Sequence, residues 1–169
     1  MSEAELHLAV DMTSSFEGFF AEQHADLFAA LWLITRDRSE AEEILQEAFL
    51  RLWERWDRVA DLESPEGYLY RTAMNVFRSQ ARRTAVAIRR TVHPTTADDA
   101  FDAIERREVL VQALASLTPR ERAAVVLTNI AGLSSEEAAR ALHIRPATVR
   151  VLAARGRERM QKEVEPHDP

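Results

Sequence analysis

The C-terminal third of the chain carries three helix-start signals in close succession. The signals are Thr118-Pro119, the capping box formed by Ser134 and Glu137, and Pro146. Gly132 stands between the first two signals and predicts the end of the first helix. The spacing leaves room only for a short second helix and a tight turn at His143 and Ile144. This order of signals predicts a helix-turn-helix.

The third helix of this motif is expected to be basic on its outer faces. Small and apolar residues recur at helical spacing and are expected to face inward: Val149, Ala153, Gly156 and Met160. The other faces carry polar and cationic side chains: Arg145, Thr148, Arg150, Arg155, Arg157 and Arg159. Such side chains on a recognition helix enter the major groove of duplex DNA. The alternative is an arginine-rich surface that is merely solvated.

Composition favours an all-α fold. Glycine is scarce, at 4 of 169 residues, and strand-like alternation of polar and apolar residues is absent. The chain has no cysteine, which excludes disulfides and thiolate metal sites. No apolar run approaches the roughly 20 residues needed to span a bilayer, and the N-terminus shows no secretory signal. We therefore expect a cytoplasmic protein without membrane insertion.

The net charge of −6 is distributed unevenly. Residues 1–66 hold 16 acidic and 5 basic side chains, whereas residues 67–90 hold six arginines and no acid. Residues 118–169 hold 9 basic and 7 acidic side chains. Because phosphate neutralisation supplies most non-specific affinity for DNA, an acidic chain with two local basic faces is expected to bind DNA weakly alone and to need a partner.

Two amphipathic helices are predicted in the first third of the chain. The first is expected to begin at Ser14 or Ser15 and to end near residues 35–38, and Ser39 with Glu42 forms a capping box for the second. The second has two apolar rows: Ile44, Ala48, Leu52, Trp56 and Leu45, Phe49, Trp53. Its remaining face is largely acidic: Glu43, Gln46, Glu47, Arg51 and Glu54. That face is either an ordinary solvated surface or a surface for a basic partner.

Residues 58–63 are predicted to form a loop. A further helix is predicted to start at Ser64-Pro65-Glu66, which supplies a cap, a first-turn proline and an acid. Its core face is expected to hold Leu69, Ala73, Val76 and Phe77. Its other faces mix aromatic, polar and cationic side chains: Tyr68, Tyr70, Arg71, Asn75, Arg78, Arg82 and Arg83. Rings that stack on unpaired bases and arginines that follow the backbone suit single-stranded nucleic acid. The alternative is that Tyr68 and Tyr70 fill the edge of the core.

The helical pattern is lost between residues 84 and 100, where a proline and paired aspartates indicate a linker. We therefore expect two small helical domains joined by a flexible linker. The expected divisions are an N-terminal tail 1–13, a first domain 14–84, a linker 85–100, a second domain 101–162 and a C-terminal tail 163–169. The second domain would open with a helix over 101–116.

Taken together, these residues resemble the extracytoplasmic-function (ECF) sigma factors, sigma-70-type subunits of bacterial RNA polymerase. The segment from Asp37 to Trp53 is similar to the family's region 2.2 helix. The run from Ser64 to Phe77, with Arg82-Arg83, is similar to the segment that opens and reads the minus-ten promoter element. The helix-turn-helix is similar to region 4, which reads the minus-thirty-five element. The resemblance covers the chain from about Phe16 to Met160.

The resemblance implies roles for named residues. It implies docking on the clamp helices of the largest polymerase subunit by Asp37, Glu43, Gln46, Glu47 and Arg51. It implies minus-ten contacts by Tyr68, Arg71, Asn75, Arg78, Arg82 and Arg83. It implies minus-thirty-five contacts by Arg145, Ala147, Thr148, Arg150, Val151, Leu152 and Arg155. The second domain would also contact the flap of the second-largest subunit, and an anti-sigma factor is a further candidate partner.

The chain departs from the family's pattern at three places. Met74 stands where arginine is usual, which would remove a positive contact near the melted strand. His143 replaces a common turn glycine, which is tolerable because histidine is enriched among non-glycine residues with positive φ. Val151 and Leu152 stand where a serine and a basic residue are frequent, so readout there is expected to use apolar contacts with thymine methyls.

Two other classes of function are alternatives to a polymerase subunit. A free-standing helix-turn-helix regulator would bind operator DNA as a dimer and protect two half-sites without polymerase. An enzyme would need a reactive constellation, but the five histidines are scattered, with no i, i+4 pair and no glycine-rich phosphate loop. We therefore expect no catalytic residues, no metal and no cofactor. The basic, aromatic helix over 64–83 favours the sigma factor over the regulator.

Overall fold

The computed structural model of the chain describes residues 3–88 and 105–164, with side chains over 15–83 and 108–164. Within those ranges every regular element is helical, which confirms the all-α fold. The elements are α1 (Glu3–Thr35), α2 (Arg38–Trp53), α3 (Trp56–Val59), α4 (Pro65–Ile88), α5 (Glu105–Ala115), α6 (Pro119–Val125), α7 (Ser135–Leu142) and α8 (Pro146–Val164). A π-helical turn over Val126–Ile130 continues α6. None of the described helices is long and apolar enough to cross a bilayer.

The helix starts predicted in the second half of the chain are confirmed by reciprocal hydrogen bonds. Thr118 Oγ1 accepts from the Glu121 backbone N–H at 3.3 Å, and Glu121 Oε2 accepts from the Thr118 N–H at 3.1 Å. Ser134 and Glu137 exchange the equivalent pair at 3.1 and 2.9 Å. Gly132, with φ of 75°, ends the segment before α7. The starts of α6 and α7, the first two helices of the motif, are therefore fixed locally by side chains within one turn.

Two helix starts in the first part of the chain differ from the sequence prediction. α1 begins at Glu3 rather than at Ser14 or Ser15, because the glutamate, alanine and leucine residues that precede them favour a helix. The first helical residue of α2 is Arg38, and its cap is Asp37 rather than Ser39, since Asp37 has an extended backbone and its Oδ1 accepts from the Glu40 N–H at 2.9 Å. The residues expected to form a tail before 14 are thus helical from Glu3 onward.

The segments around the predicted loop and linker are also more helical than expected. The loop predicted over 58–63 begins inside α3, which spans Trp56–Val59. α4 continues to Ile88 and so includes the first residues of the predicted linker. Residues 89–100 of that linker, and the first four residues of the helix predicted over 101–116, lie outside the described part of the chain. The C-terminal helix continues to Val164, just past the predicted end of the second domain.

The first three long helices share one apolar core. Leu27 and Leu31 of α1, Ile44 and Leu52 of α2, and Leu69 of α4 are all fully buried. An edge-to-face aromatic cluster extends this core, and its rings belong to Phe16, Phe49, Trp53 and Trp56. Both apolar rows predicted for α2 contribute to the packing, which holds the rest of that helix's surface toward solvent.

The helix-turn-helix is built around the close packing of α8 on α6. Val149, Ala153 and Gly156 are buried on the face of α8 that was predicted to point inward. Gly156 is required by this approach, because a Cβ added there would lie 2.6 Å from Val125 Cγ2 and 3.4 Å from Leu117 Cδ1. The opposite side of α8 is therefore exposed to solvent.

Replacing Gly156 with alanine should destabilise the second domain by about 1–3 kcal/mol, the usual cost of forcing a methyl group into a packed core. Gly18→Ala is the matched control, since a Cβ at Gly18 meets nothing within 4 Å and alanine favours a helix. Denaturant unfolding followed by circular dichroism measures both changes. Equal midpoints for the two variants would contradict the close packing described for α6 and α8.

The cap of α7 should make the stability of the motif depend on pH. The Ser134 backbone N–H, with the Ser64 hydroxyl, holds the pKa of Glu137 below its ordinary value of 4.5. A carboxylate with a lowered pKa in the folded state stabilises the fold above its ordinary pKa, and that contribution is lost as the pH falls through the lowered value.

Glu137→Gln should therefore lower the free energy of unfolding at pH 7, and the difference from the parent chain should vanish once the pH falls well below 4.5. The control is Glu136→Gln, which leaves both cap hydrogen bonds in place. Urea midpoints measured across this pH range give the comparison. A difference between parent and variant that persists unchanged into acid would show that the charge of Glu137 contributes nothing.

Candidate nucleic-acid interface

The outer face of α8 presents most of the residues predicted to contact duplex DNA. The exposed members are Arg145, Ala147, Arg150, Val151 and Arg155, whereas Thr148 and Leu152 are half-buried. Val151 keeps 49% of its surface exposed. An apolar side chain among arginines fits a surface that meets base edges as well as phosphates.

The cations of α8 differ in how firmly the protein holds them. Arg150 forms a 3.5 Å ion pair with Glu136 of α7, and Arg157 Nη1 donates to Asn129 Oδ1 at 3.2 Å. The Arg155 guanidinium has no ion pair or hydrogen bond within the described ranges. It is therefore available to a ligand without first breaking an internal contact.

The turn between α7 and α8 is made by His143. Its backbone is left-handed, with φ of 55° and ψ of 44°, as expected for a residue that replaces a turn glycine. Its side chain reaches outside the motif, since Nε2 lies 3.0 Å from Asn75 Oδ1 of α4. The nearby Arg78 guanidinium is the main cause of a lowered pKa for His143.

The residues predicted to contact the melted strand lie along one side of α4. Arg71, Arg82 and Arg83 are exposed, and Tyr68, Asn75 and Arg78 are half-buried. The Tyr68 hydroxyl accepts a 3.3 Å hydrogen bond from Arg55 Nη1, so its ring sits at the edge of the core beside a cation. This side of α4 combines an aromatic ring with several guanidinium groups, as a surface for unpaired bases requires.

Two residues of α4 belong to the core instead. Tyr70 is 1% exposed, so this tyrosine packs in the core, as the alternative prediction stated. Its hydroxyl has no hydrogen-bond partner among the described residues. Burial raises its pKa. Met74 is also 1% exposed. The expectation that Met74 removes a positive contact near the strand is therefore wrong, because this position faces inward.

The polar side of α4 contacts the second domain, which the sequence did not predict. Arg78 Nη1 donates to the Ala141 carbonyl at 2.7 Å, and Arg78 Nη2 donates to Asn75 Oδ1. Burial lowers the pKa of Arg78. At the N-terminal ends of α4 and α7, Ser64 Oγ donates to Glu137 Oε1 at 2.8 Å. The bonds to Ala141 and Glu137 join residues more than 60 positions apart, so no local sequence signal predicts them.

The acidic face of α2 is open to solvent. Glu43, Gln46 and Arg51 are exposed, and Glu47 is half-buried in a 2.7 Å ion pair with Arg51. Asp37 serves as the cap of α2. The face also displays Leu50, which is 60% exposed and was not singled out from the sequence. Its position four residues after Gln46 and three after Glu47, on the same face of the helix, was the available signal.

Comparisons with known proteins match both halves of the chain. Residues 19–86 match the family Sigma-70 region 2, and residues 107–160 match the family Sigma-70, region 4. The RNA polymerase sigma-E factor of Streptomyces avermitilis is 28% identical over 155 residues, which cover 90% of this chain and 87% of that protein. The ECF RNA polymerase sigma factor SigM of Mycobacterium tuberculosis is 29% identical over 171 residues, covering 95% and 84%.

Solved structures show the same fold. The sigma factor RpoE of Bartonella quintana, in its complex with the anti-sigma factor NepR, superposes with a TM-score of 0.77 over 91% of this chain and 98% of that one, at 20% identity. A match to region 2 ahead of region 4 supports the sigma factor over a free-standing dimeric regulator, which needs only the helix-turn-helix. The chain belongs to the extracytoplasmic-function group of sigma-70 RNA polymerase sigma factors.

Proposed function

We propose that this sigma factor docks on core RNA polymerase through the exposed face of α2 and reads a promoter through two separate surfaces, on α4 and on α8. The observation that carries the proposal is the outer face of α8, where exposed arginines flank Val151 on a helix whose inner face is locked onto α6. Bond-making belongs to the polymerase, and this chain supplies position and specificity.

The face of α8 is assigned to the minus-thirty-five element as duplex. Its N-terminal residues, with Arg145 and Thr148, would lie deepest in the major groove, and Arg155 would reach a guanine edge or a phosphate. Val151 and Leu152 would contact thymine methyl groups. The remaining residues assigned to this surface are Ala147 and Arg150.

The polar side of α4 is assigned to the minus-ten element once it is single-stranded. The residues of this surface are Tyr68, Arg71, Asn75, Arg78, Arg82 and Arg83. Stacking of an unpaired base on an aromatic ring is worth about 1–3 kcal/mol, and guanidinium groups follow the phosphates. The exposed arginines at the C-terminal end of this row would contact the upstream edge of the melted region.

The α2 face is assigned to the polymerase clamp. Glu43, Glu47 and Gln46 supply acidic and amide groups, and exposed Leu50 supplies an apolar contact beside them. Asp37 and Arg51 belong to this surface through the helix cap and the ion pair they form. A charged rim around an apolar residue is the usual arrangement of a specific protein interface.

The two domains proposed here span 14–84 and 101–162, joined by a linker over 85–100, in a protein that works in the cytoplasm. The second domain would also contact the flap of the second-largest subunit. An anti-sigma factor is a proposed regulator, supported by the structural likeness to RpoE, which was solved with NepR.

Glu47→Lys should weaken binding to core polymerase by at least tenfold, because it replaces the acid of the α2 face with a cation beside Arg51. Glu17→Lys changes the same charge at an exposed site on α1 and is the control. Co-purification of tagged chain with core enzyme, followed by fluorescence titration, measures the loss. Equal affinities for the two variants would remove the α2 face from the docking surface.

Arg155→Ala should weaken promoter complexes by about 1–3 kcal/mol if its guanidinium contacts a base. Lys162→Ala removes a cation two turns further along α8 and controls for the general loss of charge. Core polymerase is combined with each variant to form holoenzyme, and a labelled promoter fragment is titrated with each holoenzyme. Promoter affinity that is unchanged in Arg155→Ala would exclude this residue from the reading surface.

A further inference from the structure

An open cleft of about 480 Å³ lies where α4 meets α7 and the start of α8. We call it the α4–α7 cleft, and its walls include Arg71 of α4, Arg140 of α7 and Pro146, the first residue of α8. Pockets that bind small organic ligands have volumes of roughly 300–1,000 Å³. The α4–α7 cleft is therefore large enough to hold a small molecule.

Two guanidinium groups of the α4–α7 cleft remain available to a ligand. Within the described ranges, neither Arg71 nor Arg140 forms a hydrogen bond or an ion pair, and both side chains are exposed. Among the described residues that line the cleft only Glu136 is acidic, and its Oε1 lies 3.5 Å from Arg150 Nη1. Because this ion pair offsets the charge of Glu136, and arginine keeps its proton in proteins, the charges of the two guanidinium groups are left unbalanced.

The imidazole of His143 also lines the α4–α7 cleft and responds to the positive potential there. The pKa of His143 is lowered first by the Arg78 guanidinium, next by burial, and then by Arg71 and Arg82. The cations that disfavour a further positive charge at this place favour a negative one. The electrostatics of the cleft therefore select an anion.

Two helix ends meet at the α4–α7 cleft. Pro146 places the N-terminal end of α8 at its wall, and that end of a helix carries partial positive charge. The C-terminal end of α7 carries partial negative charge, but there the Ala141 carbonyl accepts a 2.7 Å hydrogen bond from Arg78 Nη1. The end of α8 thus adds to the positive charge of the two arginines.

The rest of the α4–α7 cleft is apolar. Ala139 is buried, and Ile144 and Pro146 are half-buried. Pockets for small ligands combine apolar surface of this kind with a few charged groups that fix the orientation of the ligand. An inorganic ion would use the guanidinium groups alone, whereas an organic anion would also cover the apolar surface.

We propose that the α4–α7 cleft binds a small organic phosphate. The phosphate would lie between Arg71 and Arg140, because a guanidinium group can donate two parallel hydrogen bonds to phosphate oxygens. The organic part would cover Ala139, Ile144 and Pro146. A concave site of this volume encloses one small molecule, whereas a nucleic-acid backbone follows an extended groove, so the shape favours the small molecule.

Calorimetric titration of the free chain, at low salt and in a phosphate-free buffer, tests the site. The probe is adenosine monophosphate, which joins a phosphate to an aromatic ring system, and the reference probes are inorganic phosphate and adenosine. Adenosine monophosphate should bind at least about tenfold more tightly than either reference, because only this probe reaches both the guanidinium groups and the apolar surface.

Arg71→Gln and Arg140→Gln should each lower the affinity for adenosine monophosphate by about tenfold, since each removes a charge-assisted donor. The matched control is Arg120→Gln, which removes an exposed arginine of α6 that does not line the α4–α7 cleft. Its affinity should equal that of the parent chain. Circular dichroism checks that every variant keeps its helical content.

The titration is independent of the proposed function, because it contains neither polymerase nor DNA. Arg71 also belongs to the side of α4 that is assigned to the melted strand, but Arg140 is assigned to neither reading surface. A failure of the binding test therefore leaves the two reading surfaces in place, and a failure of polymerase-dependent initiation leaves the α4–α7 cleft in place.

The proposal is overturned if the parent chain does not bind adenosine monophosphate, or if it binds inorganic phosphate as tightly. A loss confined to one of the two cleft variants would place the anion on a single helix, and an equal loss in Arg120→Gln would indicate a general attraction of anions. Either result contradicts the proposal. A single-stranded oligothymidylate is titrated as well, and if Arg140→Gln weakens its binding as much as that of adenosine monophosphate, Arg140 contacts a nucleic-acid backbone and the proposal fails.

Discussion

One buried guanidinium connects three segments of the fold. Arg122 of α6 is 9% exposed and donates to the carbonyls of Leu114 and Leu117 at 2.9 and 3.0 Å, and to that of Ile34 at 3.4 Å. A buried cation is costly unless its donors are satisfied. Carbonyls at the ends of α5 and α1 meet that need because they lack partners in their own helices. The helix-turn-helix thereby acquires a fixed position against both α5 and the first domain.

The position set in this way explains why the two proposed reading surfaces differ. α8 is held by its inner face on α6, so its arginines point outward. α7 follows α6 in the chain and lies against α4. There the Ala141 carbonyl, at the C-terminal end of α7, accepts a hydrogen bond from Arg78.

Local chemistry determined what the sequence could predict. The structure confirms the Thr118 cap, the capping box of Ser134 and Glu137, the stop at Gly132 and the inward face of α8, because each involves residues within a few positions of one another. Asp37, not Ser39, is the N-cap of α2. Aspartate and serine can both cap a helix, and only the backbone conformation decides between them. Tyr70 and Met74 lie four residues apart beside the predicted core row of α4, so helical spacing was the available signal for their burial. The bonds from Arg78 to Ala141 and from Arg122 to Ile34 join residues far apart in the sequence, and no short-range pattern encodes them.

The most direct measurement is transcription from a library of genomic fragments by core polymerase with and without this chain, with start sites mapped. The account predicts new starts that appear only with the chain, each preceded by two sequence elements at a constant spacing. It also predicts that changing this spacing abolishes the start while either element alone is insufficient. No added initiation, or initiation that is indifferent to the spacing, would contradict a subunit that reads a promoter through two separate surfaces.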